Sequence, residues 1–204
     1  MNLHADAQKH GMMVMGHLSE GAGSIVLIGA AHEFWTHFIN SPEYTDGQKD
    51  PIDRYSKRVI EKLADGAAVS FPSDGPPYAP FIAWAIGSGR FWQSPTGMMV
   101  HDVAGLMISI RGAIHINGQL AHKAAASPCD SCQGQPCVSA CPVTALGADI
   151  AYDVPKCKAY LDTQDGDDCM SNGCAVRRAC PISQSFDRPN AQSAFHMQAF
   201  HPKT

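Results

Sequence analysis

The sequence predicts a mixed α/β or α+β fold with a cysteine-rich module attached, on three observations. Short apolar runs bounded by glycine alternate with segments of helical periodicity, which argues against a helix bundle. All eight cysteines lie between Cys129 and Cys180, and the first 128 residues hold none. At 204 residues, 45% hydrophobic and 17% charged, the chain has an ordinary globular balance and length enough for one domain plus a small module. The expected division is an α/β domain over 1–126 and a cysteine-rich domain over 127–204.

The opening stretch, "MNLHADAQKHGMMVMGHLSEG", has neither a basic n-region nor a continuous apolar h-region. Without a secretion signal the expected location is the cytoplasm, where thiols stay reduced. No apolar run approaches the roughly 18 residues of a transmembrane helix. A net charge of -4 gives no electrostatic attraction to nucleic acid or to an anionic membrane.

"GSIVLIGAA" (23–31) reads as a buried strand. "DPIDRYSKRVIEKLADG" reads as a helix, with Asp50 as N-cap, Pro51 at the first helical position and Asp53 complementing the dipole. Ile52, Tyr55, Val59 and Leu63 recur on one face, and Gly66 ends the helix. "AAVSF" is a second strand, "PSDGPP" a loop, and "YAPFIAWAIGSG" a short helix running into a glycine-rich turn. "GMMVHDVAGLMISIRGAIHI" reads as a hairpin turning near "DVAG". The tail "FDRPNAQSAFHMQAFHP" suits a helix after Pro189, with Ala191, Ala194 and Phe195 facing the domain.

Polar residues in these segments read mostly as structural. His101 and Asp102 are adjacent, so on a regular strand their side chains leave opposite faces and need a bend to pair. Asp74 is read as a turn-former, Arg111 as a solvated or ion-paired edge residue, and His196 as a packing residue before an extra ligand. "GSGR" follows a helix and lacks the third glycine of a dinucleotide fingerprint.

The chemistry is concentrated in the cysteines. The first run is Cys129-x2-Cys132-x4-Cys137-x3-Cys141-Pro142; the second set is Cys157, Cys169, Cys174 and Cys180-Pro181. A cubane cluster takes four thiolates, and a short loop supplies three of them. The fourth, on a Cys-Pro turn, serves the other cluster in two-cluster ferredoxins. Crossed ligation assigns Cys129, Cys132, Cys137 and Cys180 to one [4Fe–4S] cluster and Cys141, Cys157, Cys169 and Cys174 to a second. The spacing departs from the usual run, since "QGQP" stands where two residues are expected. Zinc is the rival, because four-cysteine zinc sites tolerate variable spacing, although they favour paired Cys-x2-Cys knuckles and only one such pair occurs. Disulfides are disfavoured by the expected compartment.

"CDSCQGQPCVSACPVTAL", "DVPKCKAYL" and "GCAVRRACP" resemble the dicluster domain of epoxyqueuosine reductases, which also place a lone cysteine before a Tyr-Leu pair. "PSDGPPYAPFIAWAIGSGRFW" followed by "HDVAGLMISIRGAIHI" is similar to the upstream order of the same family. "DPIDRYSKRVIEKLA" and the same hairpin resemble cobalamin-C type B12-processing proteins.

These resemblances imply a nitroreductase-like mixed sheet with helices, followed by a ferredoxin-like two-cluster module. They also imply an iron–sulfur reductase that relays electrons to a corrinoid (cobalamin) or related cofactor, supplied by a donor protein such as a ferredoxin or flavodoxin. Asp74 would then sit where the reductases place a proton donor, with Gly75 in place of their serine. Their Gly-Trp-x-Gly-Lys-Asn run beside the corrinoid is "GRFWQSPTG" here. That departure keeps open a stand-alone electron carrier whose α/β part is a cofactor-free docking module. A zinc-stabilised interaction module stays open as a third reading.

Overall fold

A computed structural model describes residues 2–121 and 125–202. In chain order the elements are α1 (Leu3–Gln8), β1 (Met12–Glu20), β2 (Gly23–Ala30), α2 (Phe34–Ile39), α3 (Pro42–Thr45), α4 (Pro51–Ala64), β3 (Ala68–Ser70), α5 (Phe81–Gly87), β4 (Phe91–Gln93), β5 (Met99–His101) and β6 (Ile110–Asn117). The cysteine-rich part adds α6 (Val154–Leu161), α7 (Asp167–Asn172), α8 (Ala175–Ala179), α9 (Pro181–Phe186) and α10 (Asn190–Phe200), with 3-10 turns at Pro136–Val138 and Gln164–Gly166. The mixed α/β expectation holds, and the main sheet is antiparallel, in the order β1-β2-β6-β3. Among the described residues no helix is long and apolar enough to cross a membrane.

The chain divides into two compact units: Met1–Phe91 with Ile108–Ala125, and Trp92–Met107 with Ala126–Thr204. The first is built on β2. Ser24 to Ala30 are all buried, so both faces of that strand are covered, which its unbroken apolar sequence requires. Helix α4 lays its Ile60 against β6, where Gly112 leaves room for the Ile60 and Phe71 side chains. Phe34 and Phe38 stack on each other and each meets Tyr55 edge-to-face, and the Tyr55 hydroxyl donates to the His10 carbonyl at 2.9 Å. The sequence reading missed β1, although "MMVMGHLSE" pairs along nearly all of β2 with one register shift between Val14 and Gly16.

Three local expectations need correction. Asp50 occupies the N-cap position of α4, but its backbone is left-handed (φ 52°) and its side chain makes no capping bond. The segment 99–117 is not a hairpin: β5 pairs with β4, while β6 pairs with β2 and β3. The division at 126 likewise gives way, because residues 92–107 belong with the cysteines.

The reason is a tight turn stitched to α9. The His101 and Gly105 backbones bond each other both ways at 2.9 Å. Gly105 has φ 57°, and a Cβ there would lie 2.4 Å from the Ser183 nitrogen. The Leu106 N–H donates to Ser183 Oγ at 2.8 Å, Arg177 donates to the Leu106 carbonyl, and Arg188 donates to the Met107 carbonyl at 2.5 Å.

The same turn supplies the bend that His101 and Asp102 need. His101 Nδ1 accepts the Val103 and Ala104 N–H groups at 3.2 and 3.1 Å, and its Nε2 lies 3.2 Å from Asp102 Oδ1. The pair is therefore a structural clasp, fully buried at the histidine. In the tail, α10 forms where expected but buries Gln192 and Ser193, with Ala191 exposed. Ser193 closes against Gly173, where any added Cβ would lie 2.7 Å from its own; that close approach sets which face of α10 turns inward.

Candidate metal centre

The loop between Cys132 and Cys137 absorbs its two extra residues with special backbone. Gly134 and Gln135 both lie in the left-handed region (φ 72° and 39°), and Pro136–Val138 follows as a 3-10 turn closed by Val138 N–H to the Gln135 carbonyl at 2.9 Å. The loop thus folds out and returns, so the longer spacing still brings Cys137 back beside Cys132. Cys180 lies between α8 and α9 with extended backbone (φ -68°, ψ 123°), as a residue before proline prefers, and Pro181 opens α9. That corner sends Cys180 toward the first run.

Cys129, Cys132, Cys137 and Cys180 together line a cavity of about 390 Å³. Its remaining wall is largely apolar, including Val100, Leu106, Pro128, Pro181 and Ile182. Burial pushes the Cys129 thiol pKa up, and the neighbouring Cys137, Cys180 and Cys132 push it further. Cys137 is raised in the same way by burial, then by Cys180 and Cys132. Thiols raised in this manner stay protonated at neutral pH, and a metal bound there would displace their protons.

The other four cysteines form a second neighbourhood. Cys157 on α6 is raised by burial and feels Cys174 and Cys141, with the Tyr152 hydroxyl bond opposing the shift. Cys169 on α7 is raised by burial and by Cys174, opposed by an N–H bond from Ala175. Cys141 Sγ accepts the Ala145 N–H at 3.2 Å. Gly173 (φ 88°) lets the chain turn between α7 and Cys174, which begins α8. Leu161 and Met170 pack with Cys169, and Cys157, Tyr160, Met197 and Phe200 lie against them.

All eight cysteines are free thiols; Cys129, Cys132, Cys137 and Cys180 share the cavity, while Cys141 and Cys174 pack against the apolar cluster that holds Cys137 and Cys180. Among the described residues no group of three or more His, Cys, Asp or Glu side chains is drawn together as a ready metal-ion site. An all-thiol donor set around a largely apolar cavity is chemically fit for an iron–sulfur cluster.

Asp74 belongs to the other unit, on an exposed turn beside the Gly75-Pro76 and Pro76-Pro77 cis bonds. It is ion-paired with Lys57 at 2.5 Å. Arg111 pairs with Asp53 at 3.6 Å on the interior strand β6, so it is not the edge residue expected; burial pulls its guanidinium pKa down. His196 is half-buried on α10, with its ring against Phe195. Sequence reasoning missed Ser127, whose hydroxyl accepts the Cys129 N–H at 3.3 Å. In comparisons with known proteins, no family model and no curated protein matches the chain.

Proposed function

We propose that this protein is an iron–sulfur redox protein with two [4Fe–4S] clusters, held by Cys129, Cys132, Cys137 and Cys180 and by Cys141, Cys157, Cys169 and Cys174. The observation that carries the reading is the first cavity. Four thiols around about 390 Å³ of mostly apolar space suit a multi-iron core. A single zinc ion, with Zn–S bonds of about 2.3 Å, would leave most of that space unfilled. The clusters relay electrons one at a time from a donor protein such as a ferredoxin or flavodoxin. The acceptor proposed from the resemblance is a corrinoid or related cofactor in a nitroreductase-like α/β unit, which would make the protein a reductase.

A second reading, an electron carrier with no cofactor in the α/β unit, is favoured by one observation. Asp74, the residue that would donate a proton, is about half exposed at a turn and ion-paired with Lys57.

The deciding experiment is anaerobic purification, with iron, zinc and acid-labile sulfide counted beside a visible spectrum. About eight irons and eight sulfides per chain are expected, with a broad absorbance that bleaches on reduction. Cys129→Ala should remove about four irons and leave the other cluster's signal. Zinc without sulfide overturns both readings. Corrinoid band shifts on addition of cobalamin separate the reductase from the carrier.

A further inference from the structure

One cluster of reactive side chains on the sheet of the first unit has no part in the cysteine chemistry. Ser70 on β3 and His115 on β6 are diagonal neighbours, since Ala68 pairs with His115 and Ser70 with Ala113. Their side chains meet, with Ser70 Oγ 2.9 Å from His115 Nε2. The other ring nitrogen, Nδ1, lies 3.5 Å from Glu20 Oε2. Glu20, at the end of β1, pairs with Gly23 of β2, which pairs in turn with Asn117 of β6. Gly23 carries no side chain, which leaves the Glu20 carboxylate a path across β2 to the ring. Trp84 on α5 meets the imidazole edge-to-face, with ring centroids 5.6 Å apart, and so limits the tilt of the ring.

We propose that Ser70, His115 and Glu20 form a nucleophilic site that takes acyl groups from carboxylic esters and passes them to water. The order of contacts is that of a serine nucleophile, its base and the group that orients the base. An ionised carboxylate only accepts hydrogen bonds, so the tautomer that Glu20 favours carries its proton on Nδ1. Nε2 then accepts the Ser70 O–H. On attack, a bond forms between Ser70 Oγ and the acyl carbon as the ester C–O bond breaks. The Oγ proton passes to Nε2 and on to the departing oxygen, which leaves as the alcohol. Water, giving its proton to Nε2, then cleaves the acyl-serine to a carboxylic acid and restores Ser70. The site is open to a substrate: the His115 side chain is 28% exposed, Ser70 is partly exposed, and β3 is the outer strand of its sheet. An outer strand turns alternate N–H groups away from its one neighbour, and a carbonyl held at that edge can accept from them. The Trp84 ring beside the imidazole favours an ester with an apolar or aromatic group.

The test treats the full chain with a fluorophosphonate, which marks activated serines with loss of fluoride, and maps the labelled peptide. The parent should carry the label on Ser70. His115→Gln should slow that labelling at least about 100-fold. Glu20→Gln should slow it roughly tenfold, less than for a buried acid, because Glu20 is about half exposed. Ring 15N shifts should show Nδ1–H on His115 in the parent and a mixture of tautomers in Glu20→Gln, which marks Glu20 as a positioning residue. Hydrolysis of p-nitrophenyl acetate is the second readout: subtracting the rate of Ser70→Ala cancels the eight thiols common to both proteins and should leave a positive difference. No label on Ser70 of the folded parent overturns the proposal and leaves the Ser70–His115 contact as a cross-strand hydrogen bond. A label that forms at the parent rate in folded His115→Gln also overturns it, as does a hydrolysis difference of zero. Should His115→Gln fail to fold, the parent and the surface variant Glu20→Gln decide.

Discussion

The two units solve the problem of folding differently. The first buries a continuous apolar core: Ile25, Leu27, Ile28, Phe34, Phe38 and Ile60 are all fully enclosed. Its four strands then satisfy their backbones in one ladder. The second unit has short helices, and it gives buried positions to Cys137, Cys169 and Cys180, flanked by small apolar clusters around Val100, Leu106, Val176, Leu161 and Met170. A thiol packs as a small hydrophobe, so these cysteines contribute little burial by themselves. One unit draws its stability from apolar area. The other has smaller apolar clusters, and on the two-cluster proposal a bound group would complete it.

Removing the metal should therefore produce the largest effect. A structural thiolate–metal set supplies on the order of 10 kcal/mol of folding free energy in small domains. After treatment with an iron chelator under reducing conditions, amides in 126–202 should lose most hydrogen-exchange protection, while those of β1, β2 and β6 keep theirs. Retained protection across 126–202 would show that the small apolar clusters suffice, and would break the comparison.

Core truncations come next, one for each unit. Leu27→Ala removes a fully buried side chain from the central region of the sheet and should cost the first unit about 2–5 kcal/mol in denaturant unfolding. Gly105→Ala acts by another route. The alanine must adopt φ near 57° and place its Cβ against the Ser183 backbone, so the second unit should lose about 1–3 kcal/mol. A Gly105→Ala protein as stable as the parent would mean that the turn is not what binds 92–107 to α9.

Legibility followed the same divide. The strands and helix of the first unit could be read where periodicity was strong, as in Gly23–Ala30 and Pro51–Ala64. β1 was missed because its glycine and its register shift interrupt the alternation. The supposed hairpin at 99–117 failed for a physical reason: apolar strands on both sides of a turn do not reveal whether they pair with each other. Here His101 clasps the turn and Ser183, 77 positions beyond the Leu106 it bonds, anchors it. The turn at Cys180 was legible because proline restricts the backbone of the residue before it. The Ser127 hydroxyl that holds the Cys129 N–H was not legible, since it reaches it through local turn geometry that composition does not mark. The tail helix was placed correctly in sequence, yet its inward face is set by Gly173, not by its apolar residues.

The smallest effect concerns pH, and it sharpens the contrast because it belongs to the first unit alone. Glu43 on α3 is nearly buried, and both its oxygens bond the Arg58 guanidinium of α4, one of them at 3.0 Å. Those bonds hold its pKa down at about 2, against an ordinary value of 4.5. A carboxylate whose folded pKa is depressed adds stability that is fully present above the unfolded value. That stability is lost as pH falls from about 4.5 through about 2. Because Arg58 is about half exposed, solvent screens the pair, and Glu43→Gln should cost about 1–2 kcal/mol at neutral pH. The difference between the parent and Glu43→Gln should shrink as pH falls through that window, in urea unfolding followed at the first unit. A difference that stays constant from neutral pH down to about 2 would assign the cost of the substitution to packing of α3 on α4, with the charge contributing nothing.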